Sequence, residues 1–178
     1  PVVAAVEEHP VQHNRYDERI ASPLPQAIPI GQSQPEPIAP PVGLLAALGL
    51  ESGVVLDADD YIVVVEGENI VDALAPDFNA LNAFDRRGVV VTAPSSKYDF
   101  VSRWFGPRVG VNEDPVTGSA HTWLAPYWAE RLGKTVLSAR QGGKRQGTLT
   151  CEIAGDRVIL SGKAILYLSG EIEVPDTA

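Results

Sequence analysis

A chain of 178 residues with 44% hydrophobic side chains can bury one large core or two small ones, which excludes wholesale disorder and the short disulfide-stapled scaffolds. Fourteen Lys+Arg against 23 Asp+Glu leave a formal charge of −9, which repels phosphate backbones and anionic lipid alike, so neither nucleic acid nor a membrane is expected as partner. No apolar run approaches the roughly 18 residues of a membrane-spanning helix, one cysteine (Cys151) permits no intrachain disulfide, and the chain reads as soluble and cytoplasmic.

Taken in chain order, Val2–Val6 predicts a short strand and Glu7–Arg19 is polar. Pro23, Pro25, Pro29, Pro35, Pro37, Pro40 and Pro41 follow, in a stretch that can be neither helix nor central strand because proline lacks the amide donor and fixes φ. Residues 1–41 are therefore expected to be a strand and an extended connector, with the folded unit over 42–178. Val42–Leu50 predicts a short buried helix that Gly49 ends. Strands are predicted over Val54–Asp57, Tyr61–Val65, Val89–Thr92, Val136–Ala139, Thr148–Ile153, Arg157–Ser161 and Ala164–Ile172, and Asp99–Phe105 alternates like a strand. Tight-turn residues at Ala154-Gly155-Asp156 and Gly162-Lys163 make the last three predicted strands an antiparallel meander.

Two helices interrupt these strands. Pro76–Phe84 sets Phe78, Leu81 and Phe84 at helical spacing. Ser119–Leu132 carries Ala120, Trp123, Leu124, Tyr127, Trp128 and Leu132, with Gly133 just past its end. Apolar character nearly all round makes this second helix a buried one. The class predicted is α+β, with antiparallel strands wrapped around a central buried helix.

The most unusual composition lies directly before that helix, in Gly110-Val111-Asn112-Glu113-Asp114-Pro115-Val116-Thr117-Gly118-Ser119-Ala120-His121. Free amides at a helix start, together with its dipole, favour a carboxylate or small oxyanion, and Gly118 lets a ligand approach the backbone. Thr117 or Ser119 could equally serve only as a cap, with Asp114 ending a turn. A local hydrolase triad is rejected because Ser119 and His121, two positions apart, point to different helix faces. A phosphate loop lacks its lysine after Gly118. Asp57-Ala58-Asp59-Asp60-Tyr61 lacks the glycine of a calcium loop and reads as a hairpin turn, and His9, His13, His121 and Cys151 have no metal-ligand spacing. Gln141–Gly147 is a glycine-rich basic loop between strands. Arg103 could meet a ligand carboxylate or pair with Glu113 or Asp114.

Asp99-Phe100-Val101-Ser102-Arg103-Trp104-Phe105-Gly106-Pro107 and the Gly110–His121 run, continued by Leu124-Ala125-Pro126-Tyr127-Trp128, the Gln141 loop and Gly162-Lys163-Ala164, closely resemble the signature of the phenazine biosynthesis PhzF-like family. The resemblance implies one lobe of a diaminopimelate-epimerase-like fold, in which two similar halves each wrap strands around a helix and meet at the active-site cleft. It maps this chain onto the C-terminal half and the preceding connector. It also implies that Asp114 contacts substrate, that Ser119 is the second catalytic residue, and that Thr117, Gly118 and Ala120 cup a carboxylate, with Arg103 and Gln141 as further binding residues. Proton transfer between carbons without metal or organic cofactor is the implied chemistry, on a small carboxylate substrate, in a homodimer or a pairing with the N-terminal lobe.

The family's acid/base glutamate and its Gly-His-Ala-Thr motif belong to the other half and have no counterpart here; Glu7 and Glu8 lack the matching context. The loop also departs from Gln-x-Ser-x-Arg-Gly-Gly, with Gly143 for the serine and Gln146 for the first glycine. Absence of methionine, even at position 1, reads with this as a truncated view of a longer protein. The alternative is a non-catalytic domain of the same fold that keeps only an anion pocket.

Overall fold

The computed structural model describes residues 20–21, 26–29 and 35–165. The strand expected at Val2–Val6 and most of the one expected at Ala164–Ile172 lie outside the described residues. In chain order the elements are β1 (Ile20–Ala21), β2 (Gln26–Pro29), β3 (Glu36–Ile38), α1 (Leu44–Leu48), β4 (Val54–Asp57), β5 (Tyr61–Val64), α2 (Glu68–Ala73), α3 (Phe78–Leu81), β6 (Val89–Pro94), β7 (Phe100–Gly106), β8 (Val111–Asp114), α4 (His121–Leu132), β9 (Val136–Gln141), β10 (Gly147–Ala154), β11 (Arg157–Gly162) and β12 (Ala164–Ile165). This is a mixed α+β fold built on one large sheet.

That sheet has ten strands in the order β2-β11-β10-β9-β7-β6-β5-β4-β3, with β8 pairing β7 off this path, while β1 and β12 form a separate antiparallel ribbon. Of the expected meander only the first hairpin, β10–β11, is present: β9 takes the other side of β10, and β12 pairs with β1 instead of β11. Two pairings depart from the antiparallel expectation: β5–β6 and β7–β9 are parallel. Each follows from a crossover, through α2 and α3 in the first case and through β8 and α4 in the second, because only a long connection brings the chain back in the same direction.

The described parts of the proline-rich connector, residues 26–29 and 35–41, contribute the sheet's two outermost strands, β2 and β3. Pro29 in β2 lies opposite Arg157, and Pro37 in β3 lies opposite Leu56. An edge strand needs only half of its amides for the ladder, so proline is tolerated there and nowhere more central.

Each face of the sheet carries its own core. On one face Leu44, Leu48, Val71 and Leu81 of the three short helices pack on Val55, Val63, Val91, Val101 and Phe105. On the other, Trp123, Leu124 and Trp128 of α4 pack on Leu56, Ile62, Val90, Phe100, Trp104, Leu137, Leu149, Cys151 and Val158. Alternate residues of β5, β6 and β7 therefore go to opposite cores, which is why these strands read as continuous apolar runs.

The helices differ from expectation in extent. α4 begins at His121 rather than Ser119, because residues 118–120 form tight turns in which His121 N donates to Gly118 O (3.1 Å) and Thr122 N to Ser119 O (3.1 Å). It ends as expected at Gly133, whose φ of 64° is left-handed. Its first five residues and Trp128 are buried, whereas Glu130–Leu132 are exposed, so burial on all sides holds only for the N-terminal half. α3 is a single turn, started by Asp77, whose Oδ1 accepts from Asn79 N and Ala80 N (3.0 and 3.1 Å). α2 and β8 have no counterpart in the sequence reading. Among the described residues no helix is long and apolar enough to cross a membrane.

Candidate active site

The site grows from a fork in the sheet. Along one edge β7 pairs with β6. Along the other its N-terminal half, Phe100–Ser102, pairs with β9, while Trp104 and Gly106 pair with β8 across a register shift. Ser102 lies opposite Gln141 and Trp104 opposite Asp114. Two segments far apart in sequence thus end side by side, and their ends carry the predicted residues.

Gln141 is fully buried and ties the fork together. Its Oε1 accepts from Thr117 N (2.9 Å), and its Nε2 donates to Asp114 O (3.0 Å) and to Thr117 Oγ1 (2.9 Å). The Thr117 hydroxyl donates onward to Asp114 Oδ2 (2.8 Å), and Val116 N approaches Oδ1 at 3.4 Å. His121 Nδ1 lies 2.9 Å from Thr117 O. Thr117 is consequently held at its amide, its carbonyl and its hydroxyl, and the half-buried Asp114 carboxylate is fixed with lone pairs to spare. Gln141 holds the Asp114–Thr117 turn in shape.

Beyond Thr117 the turn offers its backbone. The carbonyls of Gly118, Ser119 and Ala120 accept from the first amides of α4, and among the described residues no acceptor faces the amides of these three. Successive N–H groups without an acceptor among the described residues, on a turn that passes from half-buried Gly118 through exposed Ser119 to buried Ala120, are suited to an anion at its open end. A groove of about 500 Å³ runs beside them, lined in part by Val116, Gly118, Gly147, Gly162 and Lys163. Three of the segments that carried the family resemblance, at Val116–Gly118, the end of the Gln141 loop and Gly162-Lys163, therefore line one groove.

Arg103 takes the second of its two expected options. Its Nε and Nη2 form a fork with Glu113 (2.7 and 2.9 Å), and Nη1 donates to the carbonyls of Leu74 (2.8 Å) and Val71 (3.3 Å). It lies on the sheet face opposite α4, where it pins the end of α2. A second cleft of about 430 Å³ opens there between Phe78, Pro115, Lys144 and Arg145.

Arg87 was not singled out from the sequence, yet it touches the site. Its Nη1 donates to Ser119 Oγ (2.9 Å) while Nε and Nη2 grip Asp60 (3.0 and 2.6 Å). Asp60 is fully buried and also accepts from Trp104 Nε1 (2.8 Å). The bond to Asp60 holds the Arg87 guanidinium above its ordinary pKa. The signal that could have exposed this pair is Asp59-Asp60 directly before the apolar strand β5, together with Arg86-Arg87 one glycine before β6: parallel pairing of Tyr61 with Val89 sets the two charged ends side by side.

His121 is fully buried and burial pushes its imidazole down to about 4. It stays neutral, with Nδ1–H donating to Thr117 O, and its Nε2 has no partner among the described residues. It cannot act as the base of a serine nucleophile. Burial likewise pushes the Cys151 thiol up to about 12, leaving it inert. Among the described residues no cluster of three His, Cys, Asp or Glu side chains could hold a metal.

With this geometry in view, residues 49–170 match the model of the family described as phenazine biosynthesis-like protein. The chain belongs to that family. An uncharacterized isomerase of Pseudomonas aeruginosa is 63% identical over 141 residues, 79% of this chain and 54% of that protein. A second from the same organism is 46% identical over 162 residues, 90% of this chain and 60% of that protein. Among solved structures, a PhzF-family protein of Enterococcus faecalis superposes with a TM-score of 0.78 at 43% identity, over 84% of this chain and 57% of the other. A PhzC/PhzF protein of Clostridium difficile gives 0.77 at 34%, over 88% and 60%. This phenazine biosynthesis-like chain thus spans between 54% and 60% of the length of these relatives.

Proposed function

We propose that this chain is the substrate-anchoring part of a PhzF-like isomerase that moves a proton on a small carboxylic acid without a metal or organic cofactor. The observation that carries the reading is the Asp114–Ser119 turn. A fixed carboxylate, an exposed hydroxyl and three amides that meet no acceptor among the described residues stand together beside a groove, in a chain 63% identical over 141 residues to a protein named as an isomerase.

In this reading the amides of Gly118, Ser119 and Ala120 hold the substrate carboxylate. Ser119 donates to an oxygen that gains charge as the carbon loses its proton, and Asp114 orients the reacting carbon. Preorganised donors of this kind stabilise an enolate-like charge because they need no rearrangement when it forms. Thr117 and Gln141 position Asp114 and the turn, and Arg103 with Glu113 fixes β7 to β8. The general acid/base has no candidate among these residues, in keeping with a glutamate in the other half of the family's two-lobed fold. A cytoplasmic homodimer, or a cleft closed by that other lobe, is the assembly we attach to this reading.

A crystal soak with benzoate tests it directly. Its carboxylate is expected within hydrogen-bond reach of the amides of residues 118–120; a carboxylate bound elsewhere overturns the anchoring role. The purified 178-residue chain is expected not to exchange the ring hydrogens of a dihydroaromatic acid in D2O. Exchange abolished by Asp114→Ala would show instead that the proton shuttle lies within these residues.

A further inference from the structure

We infer that Arg87 is a positioning residue of the Ser119 site, locking the serine hydroxyl as a donor toward the bound carboxylate. The inference rests on the anion site proposed above and adds a residue that neither the sequence signature nor the comparisons assign.

The geometry leaves Ser119 little choice. An arginine has only donors, so in the 2.9 Å contact Arg87 Nη1 gives and Ser119 Oγ receives. The hydroxyl proton must then point away from Arg87, and among the described residues nothing accepts it. Ser119 itself is exposed. Arg87 thus closes one of the three wells open to the hydroxyl proton and leaves it the two turned away from the guanidinium, where it can serve a ligand. Donation from a cation also makes the remaining O–H a stronger donor.

Arg87 can do this because it cannot turn. Asp60, with 0% exposure, takes both Nε and Nη2, and Asp60 is in turn held by Trp104 Nε1. The guanidinium carbon also stands 5.4 Å from the Trp104 ring centroid. Trp104 is the residue opposite Asp114 on β7. The two functional side chains of the turn, Asp114 and Ser119, are thereby referenced to a single strand position, one through the backbone ladder and the other through Asp60 and Arg87.

The test is a coupling measurement with benzoate as the probe, read from the ¹⁵N–¹H shifts of Gly118, Ser119 and Ala120. Arg87→Ala would leave Asp60 buried and uncompensated, so Arg87→Lys is used, which keeps the charge but cannot fork to Asp60 and Ser119 together. Arg87→Lys and Ser119→Ala are each expected to weaken benzoate about fivefold. The double variant is expected to bind like Ser119→Ala alone. Binding unchanged in Arg87→Lys overturns the inference, and so does a further loss in the double variant, since Arg87 would then contact the anion itself. Should Arg87→Lys fail to fold, Asp60→Asn with Arg87→Gln removes both charges at once and is read against Ser119→Ala in the same way. If benzoate leaves these three amides unshifted in the parent chain, it is the anion site that falls, a result distinct from the failure of Arg87 alone.

Discussion

His121 shows how much of the proposed site rests on groups packed behind it. Its Nδ1–H holds the carbonyl of Thr117, the residue whose hydroxyl holds Asp114. Only a neutral imidazole fits: the ring is wholly buried beside Phe100, at 5.9 Å between ring centroids, with no carboxylate hydrogen-bonded to it. An unfolded histidine titrates near 6.5 and this one near 4, so the folded state refuses a proton that the unfolded state accepts. A group with a lowered histidine pKa therefore contributes nothing above about pH 7. It destabilises progressively as pH falls from 6.5 toward 4, by about 3 kcal/mol in all. Urea unfolding at pH 7.5, 6 and 5 is expected to show this loss. His121→Asn keeps a donor for Thr117 but cannot titrate, and should flatten the slope across the same range; a slope that survives the substitution would place the titration elsewhere.

At the scale of elements, the forked edge of β7 explains both what the sequence made legible and what it hid. β4, β5, β6 and β9 to β11 were readable because apolar runs between turn residues have one physical solution, a strand buried on one or both faces. β8 was not, since Val111-Asn112-Glu113-Asp114 has little strand propensity and exists as a strand only because half of one β7 edge is left open for it. α2 carries just Ile70 and Val71 as large apolar residues, and its C-terminal end is fixed by Arg103 from another element. Asp114, Ser119 and the turn stand out as candidates by their composition, whereas Arg87 and Asp60 come together only through the parallel register of β5 and β6. Gly142 is the joint of the fork: its amide bonds Ser102 O (3.0 Å), its φ is 104°, and a Cβ there would stand 2.1 Å from Arg145 O. Gly142→Ala is accordingly expected to cost about 3 kcal/mol in urea unfolding, through left-handed strain and backbone overlap together. A loss below about 0.5 kcal/mol, the size of an ordinary surface substitution, would mean the Gln141 loop adapts freely and does not set the site's geometry.

For the whole molecule, the decisive feature is a single sheet serving two cores. Val55 and Leu56, Ile62 and Val63, and Val90 and Val91 are neighbours in the chain that belong to opposite cores. Neither core can be lost while the other keeps its floor, because the same ladder hydrogen bonds hold both. Unfolding should therefore be one transition, even though the two sets of packed side chains share no members. Val71 in α2 and Val158 in β11 probe this, each with 0% exposure and each confined to one core. Val71→Ala and Val158→Ala are each expected to cost about 2 kcal/mol, from lost transfer energy and an imperfectly collapsed cavity. With the sheet between them and no shared partners, the double variant should lose the sum to within about 0.5 kcal/mol. Its denaturant slope should match the parent's, since the surface exposed on unfolding is the same. A second transition in the double variant, or a slope that falls, would show the cores melting separately. The sheet would then be two units joined at β7, with the fork that builds the site lying on their seam.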